Sequence, residues 1–128
     1  PLGVADCAAA MQAIEICDSP EGRQRLRDLQ ENIRRFRQGI ASLGLESIPG
    51  PHPVVPVLVR DTAKTHRLVE HLLERGILVA GLTYPVVPRG DETLRFQINA
   101  AHTRADIDEV LEALSAFKIS NRATNRPR

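Results

Sequence analysis

Between Leu94 and Asn99 the chain alternates without a break. Leu94, Phe96 and Ile98 are apolar, and Arg95, Gln97 and Asn99 between them are polar. A strand sends successive side chains to opposite faces. The segment therefore belongs in a sheet with one buried face and one face carrying a guanidinium and amides. Burial on one side also fixes the register, because a slip of one residue would carry every apolar group into water. A loop, Thr83 to Asp91, arrives just before the strand and is punctuated by Pro85, Pro88 and Gly90. Arg95 thus sits mid-strand beside a loop, where a planar guanidinium can hold a carboxylate in a bidentate fork. The same alternation describes an ordinary solvated sheet face, and the residues alone leave both readings open.

The rest of the chain supplies what covers the buried face. Val4 to Cys17 is Ala-rich and reads as a first helix. Ser19 can cap a second helix, with Pro20 at its first position and Glu21 complementing its dipole. That helix runs to about Leu43, with Leu26, Leu29, Ile33, Phe36, Ile40 and Leu43 spaced 3, 4, 3, 4, 3 along one face. Its Arg23, Arg25, Arg27, Arg34, Arg35 and Arg37 are interleaved with Glu21, Asp28 and Glu31, a mixed and solvated face. Val54 to Arg60 is a β-branched run, and Pro56 inside it points to an edge strand or a bulge. Asp61 can cap a third helix, which Gly76 ends and which Leu68, Leu72 and Leu73 make amphipathic. Ile77 to Leu82 reads as a second strand and Glu92 to Asn99 as a third. Thr103 and Asp106 form a capping box for a last helix to about Lys118, buried through Ile107, Val110, Leu111, Leu114 and Phe117.

The order is α-α-β-α-β-β-α, which fits an α+β fold: a small, mainly antiparallel sheet with helices packed on one face. Residues 1–118 form the domain, and 119–128 form a polar tail expected to be disordered. The polar face with Arg95, Gln97 and Asn99 is then left for solvent or for another domain.

Composition excludes several classes. A net charge of +1 is too small for a dedicated nucleic-acid surface. No apolar run approaches the ~20 residues of a membrane span. Cys7 and Cys17 lie ten positions apart on one helix, roughly 15 Å along its axis. That is too far for a disulfide, so free thiols in a reducing, cytoplasmic compartment are expected. His66 and His71 do not share a helical face, and no Cys or carboxylate cluster completes a metal site. The chain holds only two lysines, Lys64 and Lys118, and neither is placed for Schiff-base chemistry. The start at Pro1-Leu2-Gly3 has no basic leader and reads as a fragment of a longer protein.

The run Tyr84-Pro85-Val86-Val87-Pro88-Arg89-Gly90, with Leu94-Arg95-Phe96-Gln97 and Ala100-Ala101-His102-Thr103 after it, resembles the C-terminal domain of the α-oxoamine synthases. These are fold-type I enzymes dependent on pyridoxal phosphate. The resemblance continues through His52 to Val57, Glu74 to Ile77 and Arg35 to Arg37, and within the family it leans to glycine C-acetyltransferase. It implies a homodimeric parent that condenses an amino acid, expected to be glycine, with an acyl-CoA. In that family a large domain carries the aldimine lysine and the Asp and His that hold the pyridine ring, and that segment is missing here. The small domain contributes an arginine that binds the substrate carboxylate, and the position matching it is Arg95. The loop bearing Tyr84 and Pro85 resembles the segment over the active-site mouth. The fragment alone is expected to be inactive, with no catalytic residue, metal or bound cofactor of its own. The rival from another class is a non-enzymatic regulatory module that binds an amino acid, again through Arg95.

Overall fold

The computed structural model describes residues 3–124, with side chains through residue 118. The helices are α1 (Val4–Cys17), α2 (Pro20–Ser42), α3 (Thr62–Glu74) and α4 (Arg104–Thr124). The strands are β1 (Glu46–Ser47), β2 (Val54–Leu58), β3 (Ala80–Leu82) and β4 (Thr93–Gln97). All pairings are antiparallel, in the order β1-β2-β4-β3. The architecture is the expected α+β fold. Among the described residues no helix is long and apolar enough to cross a membrane.

Local chemistry sets the helix ends. The Ser19 hydroxyl accepts from Gly22 N–H at 3.3 Å, with Pro20 in the first turn. Asp61 Oδ1 accepts from Lys64 N–H at 2.7 Å. Gly76 adopts φ +76° beyond the end of α3, its N–H reaching Leu73 O while Ile77 N–H reaches Leu72 O. This doubly bonded left-handed stop explains why Ile77 does not begin a strand, as the apolar run implied. β3 starts only at Ala80, and Leu78 is 89% exposed. Thr103 N–H donates to Asp106 Oδ2 at 2.8 Å, and Asp106 N–H donates to the Thr103 hydroxyl at 3.1 Å, closing the capping box. α4 runs on to Thr124, past the expected end near Lys118. The expected disordered tail falls on residues 119–128, whose side chains, and from 125 the backbone, lie outside the described residues.

The alternation resolves as the sequence requires. Leu94, Phe96 and Ile98 are buried, whereas Arg95, Gln97 and Asn99 are exposed. Val55 and Val57 of β2 join them on the inner face, against Ile33, Phe36 and Ile40 of α2, Leu68 and Leu72 of α3, and Ile107 and Leu114 of α4. The Phe36 and Phe96 rings meet at 5.0 Å between centroids, tilted by 49°, a favoured aromatic geometry. Asn32 donates from Nδ2 to the carbonyls of Asn99 and His102, and Arg35 grips Asp108 with both Nε and Nη2. The first contact ties α2 to the turn that joins β4 to α4, and the second ties it to α4 itself.

Some expectations need correction. Leu73 is 56% exposed, because one helical step beyond Leu72 rotates it by about 100°, more than a quarter turn off the buried line of Leu68 and Leu72. Leu26 is also exposed, since α2 meets the core only from Leu29 onward. β1 is too short for its pattern to be read. β2 ends at Leu58 rather than Arg60, because the next N–H groups, of Val59 and Arg60, both turn to the Glu92 carbonyl. Pro56 creates no bulge, since the β2–β4 register is continuous. The expected edge strand is not found either, since β2 lies between β1 and β4; the Pro56 carbonyl accepts from Ile48 N–H, and its missing donor faces the short β1.

α1 stands apart. None of its residues is buried, and Val4, Met11 and Ile14 are exposed. It meets α2 at a tight corner: a Cβ on Gly22 would lie 2.2 Å from Ile16 O, so no other residue fits without moving the backbone.

Phe96→Ala is expected to destabilise the chain by roughly 3–5 kcal/mol, as for other buried aromatic truncations. Arg95→Ala is expected to change stability by less than about 1 kcal/mol, as at an exposed position. Denaturant melts of both variants check this, and equal losses would mean the register is wrong.

Candidate functional site

The helices leave the other face of the sheet uncovered. Residues directly opposite in an antiparallel sheet share a face, so the pairings lay this surface out in rows. Leu58, Thr93 and Leu82 form one row; Pro56, Arg95 and Ala80 form the next; Val54 and Gln97 form a third. Arg95 is therefore flanked across both neighbouring strands by small or rigid groups that neither donate nor accept from their side chains. Among the described residues its guanidinium has no hydrogen-bond or ion-pair partner, unlike Arg25, Arg34, Arg35 and Arg60. A five-donor planar fork held on a strand and left open is able to take a carboxylate side-on.

The loop from Thr83 to Asp91 joins β3 to β4 and returns to the sheet at Thr93, about 7 Å along the strand from Arg95. Its first half is a turn in which Thr83 O accepts from Val86 and Val87 N–H. The Tyr84–Pro85 peptide bond is cis. Tyr84 is 58% exposed and lies under the Arg89 guanidinium, 4.8 Å from the ring centroid. Tyr84 and Pro85 thus sit at the loop's outer end, not in the sheet.

Glu92, which periodicity assigned only to the start of a strand, is a further member of this region. It is 3% exposed. Its carboxylate oxygens accept from Gly90 N–H at 3.0 and 3.2 Å, and Oε1 accepts from the Thr62 hydroxyl at 3.1 Å. The hydrogen bond from its own backbone N–H, then that from Gly90, hold its carboxyl below the usual range, against the opposing effect of burial. Beside it, Arg60 grips Glu46 through Nε and Nη2, and this pair holds the Glu46 carboxyl low as well. Thr62 lies 30 residues from Glu92, so no local pattern could reveal the contact.

Three of the four histidines, His52, His71 and His102, have structural partners; His52 Nδ1 accepts from Val54 N–H. His71 Nε2 pairs with Ala113 O, and His102 Nδ1 accepts from Asn99 N–H in the strand-to-helix turn. Among the described residues no cluster of His, Cys, Asp and Glu could hold a metal ion. Cys7 and Cys17 are free and exposed. A groove of about 420 Å³, lined by Phe36, Leu78, Phe96, His102 and Val110, opens on the helix side of the sheet and does not include Arg95.

Comparison with known proteins gives the family and the fold. The family model of aminotransferase class I and II matches residues 2–114. The 8-amino-7-oxononanoate synthase of Symbiobacterium thermophilum is 39% identical over 115 residues, covering 90% of this chain and 28% of that protein. The enzyme of the same name from Sodalis glossinidius is 37% identical over 121 residues, covering 94% of this chain and 30% of that protein. A solved serine palmitoyltransferase with its pyridoxal-phosphate internal aldimine superposes with a TM-score of 0.73 at 26% identity, over 77% of this chain and 25% of that one. The 8-amino-7-oxononanoate synthase of Francisella tularensis shares the fold, with a TM-score of 0.72 at 24% identity over 91% and 32% of the two chains. The chain thus spans 28–30% of the length of these curated relatives.

The family uses pyridoxal phosphate. Lys118 donates its Nζ to Leu43 O, and Lys64 lies in the first turn of α3. Both helices pack on the face of the sheet away from Arg95.

Glu92 gives a pH signature with a definite sign. A folded-state carboxyl held low stabilises the fold fully above its unfolded value, about 4.3, and the contribution is lost as pH falls through the lower folded value. The stability gap between wild type and Glu92→Gln is expected to be open at pH 7 and to narrow toward pH 3. Denaturant melts at both pH values measure it, and a gap independent of pH would remove the carboxylate from the account.

Proposed function

We propose that this chain, which belongs to the aminotransferase class I and II family and corresponds to the C-terminal part of the α-oxoamine synthases, supplies the substrate-carboxylate contact of a pyridoxal-phosphate-dependent acyltransferase. The observation that carries the proposal is the unpaired guanidinium of Arg95 on the uncovered sheet face, one same-face step from Thr93, where the Thr83–Asp91 loop rejoins the sheet. The parent reaction is condensation of an α-amino acid with an acyl-CoA. Pyridoxal phosphate, when bound to the parent, supplies the electron sink for that chemistry. The work of this chain is orientation: a fixed fork holds the carboxylate so that the substrate's reacting carbon keeps one geometry. The loop with Tyr84 and Pro85 lies over the mouth through which the acyl-CoA enters.

The lysine and the ring-holding groups belong to a large domain elsewhere in the parent. The exposed surface of α1 supports this, because Val4, Met11 and Ile14 are left exposed and a helix apolar on several sides is normally enclosed. The parent is a homodimer in this reading. The relatives compared above are named 8-amino-7-oxononanoate synthase, which draws the assignment away from glycine C-acetyltransferase and leaves glycine unsupported as the amino acid.

Two measurements test the reading. In the full-length parent, Arg95→Lys keeps the charge but loses the fork. The amino-acid KM is expected to rise and kcat to fall, with cofactor binding unchanged. Charged hydrogen bonds of about 1.5–3 kcal/mol correspond to a loss in kcat/KM on the order of ten- to two-hundred-fold. Normal amino-acid kinetics would return Arg95 to the status of an ordinary polar-face residue. The chain expressed alone and mixed with pyridoxal phosphate is expected to yield no stoichiometric adduct after borohydride reduction. A single modified lysine, Lys64 or Lys118, would contradict the division of labour.

A further inference from the structure

We propose that Glu92 is a positioning residue, whose side chain clamps the returning end of the Thr83–Asp91 loop and thereby holds that loop for the acyl-thioester substrate. The inference rests on the reading of the loop as the cover of the active-site mouth and assigns that cover its anchor.

The geometry is that of a three-way joint. The Glu92 carboxylate receives Gly90 N–H from the loop and the Thr62 hydroxyl from the first turn of α3. Its backbone carbonyl receives Val59 and Arg60 N–H from the corner that leads β2 into α3. One residue therefore fastens the loop to two segments remote from it in sequence, and it does so while 3% exposed. Carboxylates taken out of water need such donors, and a charged acceptor makes each bond stronger than a neutral one. Besides the Glu92 carboxylate, the second half of the loop is held by the Thr93 hydroxyl, which donates to Asp91 O at 2.7 Å, and by weaker contacts. Asp91 N–H bonds to Pro88 O, and Arg60 Nη1 lies 3.4 Å from Gly90 O and 3.7 Å from Asp91 Oδ1. The charged groups around the joint are Glu46, Arg60, Asp61 and Asp91, and Arg60 is already taken by Glu46.

What the clamp presents is an apolar surface with one cation, the Arg89 guanidinium over the Tyr84 ring. Tyr84 and Val86 are 58% and 74% exposed on the loop, a surface suited to an acyl chain rather than to an amino acid. Arg95 reads the carboxylate from the strand, whereas Glu92 sets the loop, so the two residues should act on different substrates.

The test uses the full-length protein containing this chain, loaded with pyridoxal phosphate, as wild type, Glu92→Ala, Glu92→Gln and Arg95→Lys. Steady-state kinetics give the KM for each substrate. Limited trypsin digestion, resolved by mass, gives the rate of cleavage at the Arg89–Gly90 bond. Glu92→Ala is expected to raise the acyl-CoA KM on the order of tenfold, the scale of one charge-assisted hydrogen bond, with the amino-acid KM nearly unchanged. Cleavage at Arg89–Gly90 is expected to accelerate by a similar factor. Glu92→Gln keeps an acceptor for Gly90 and should fall between wild type and Ala in both readouts. It also decides the matter if the Ala variant does not fold. An unchanged acyl-CoA KM, an equal rise in both KM values, or an unchanged cleavage rate would each overturn the proposal. Arg95→Lys moving the amino-acid KM while Glu92→Ala moves nothing would overturn this inference alone. A wild-type protein that condenses no amino acid with any acyl-CoA would overturn the parent reading and the clamp's substrate with it.

Discussion

Phe96 and Leu94 reach the helices because β2 and β4 pair in unbroken register, from Val54 opposite Gln97 to Leu58 opposite Thr93. That pairing places Val55 and Val57 on the same inner face and lets Phe36 of α2 close against Phe96. The outer face follows from the same constraint. A strand that commits its even-numbered residues to the core commits the odd-numbered ones to the opposite side, so Arg95 and Gln97 cannot be withdrawn without exposing the core. The position of the guanidinium is thus a by-product of hydrophobic burial on the far side of the sheet. A group fixed in this way keeps its direction without partners of its own.

The polar clamp and the open arginine differ in what holds them. Glu92 is satisfied by donors from three segments, and its charge is compensated where it sits. Arg95 is compensated by nothing described in the chain. An unpaired charge on a rigid element, flanked by a proline and an alanine, is inexpensive while water reaches it and becomes a strong binding group once another surface closes over it.

Patterns with short repeats were legible in the sequence. The alternation around Phe96, the stripe of α2 from Ile33 to Ile40, and the caps at Ser19, Asp61 and Thr103 all depend on neighbours within four residues. Features set by distant partners were not legible. β1 holds only two residues, and its pairing with Leu58 and Val57 is decided by the loop after α2. Ile77 to Val79 has strand composition but is claimed by the end of α3. The buried role of Glu92 depends on Thr62 and on the corner at Arg60. At Arg95, alternation gave only the face; the reading of a carboxylate came from the loop-and-strand motif it shares with a family.

Gly22 has a mechanical meaning. With Ile16 O where its side chain would be, the corner between α1 and α2 has no slack on its inner side. Bending α1 inward therefore pushes on the backbone of α2 rather than on a compressible side chain. α2 is in turn pinned by Asn32 to the carbonyls of Asn99 and His102. The two helices therefore meet at a stiff corner, and the longer one is fastened at its middle to the turn that follows the strand bearing Arg95, so a load on α1 reaches that turn through backbone rather than through compressible side chains.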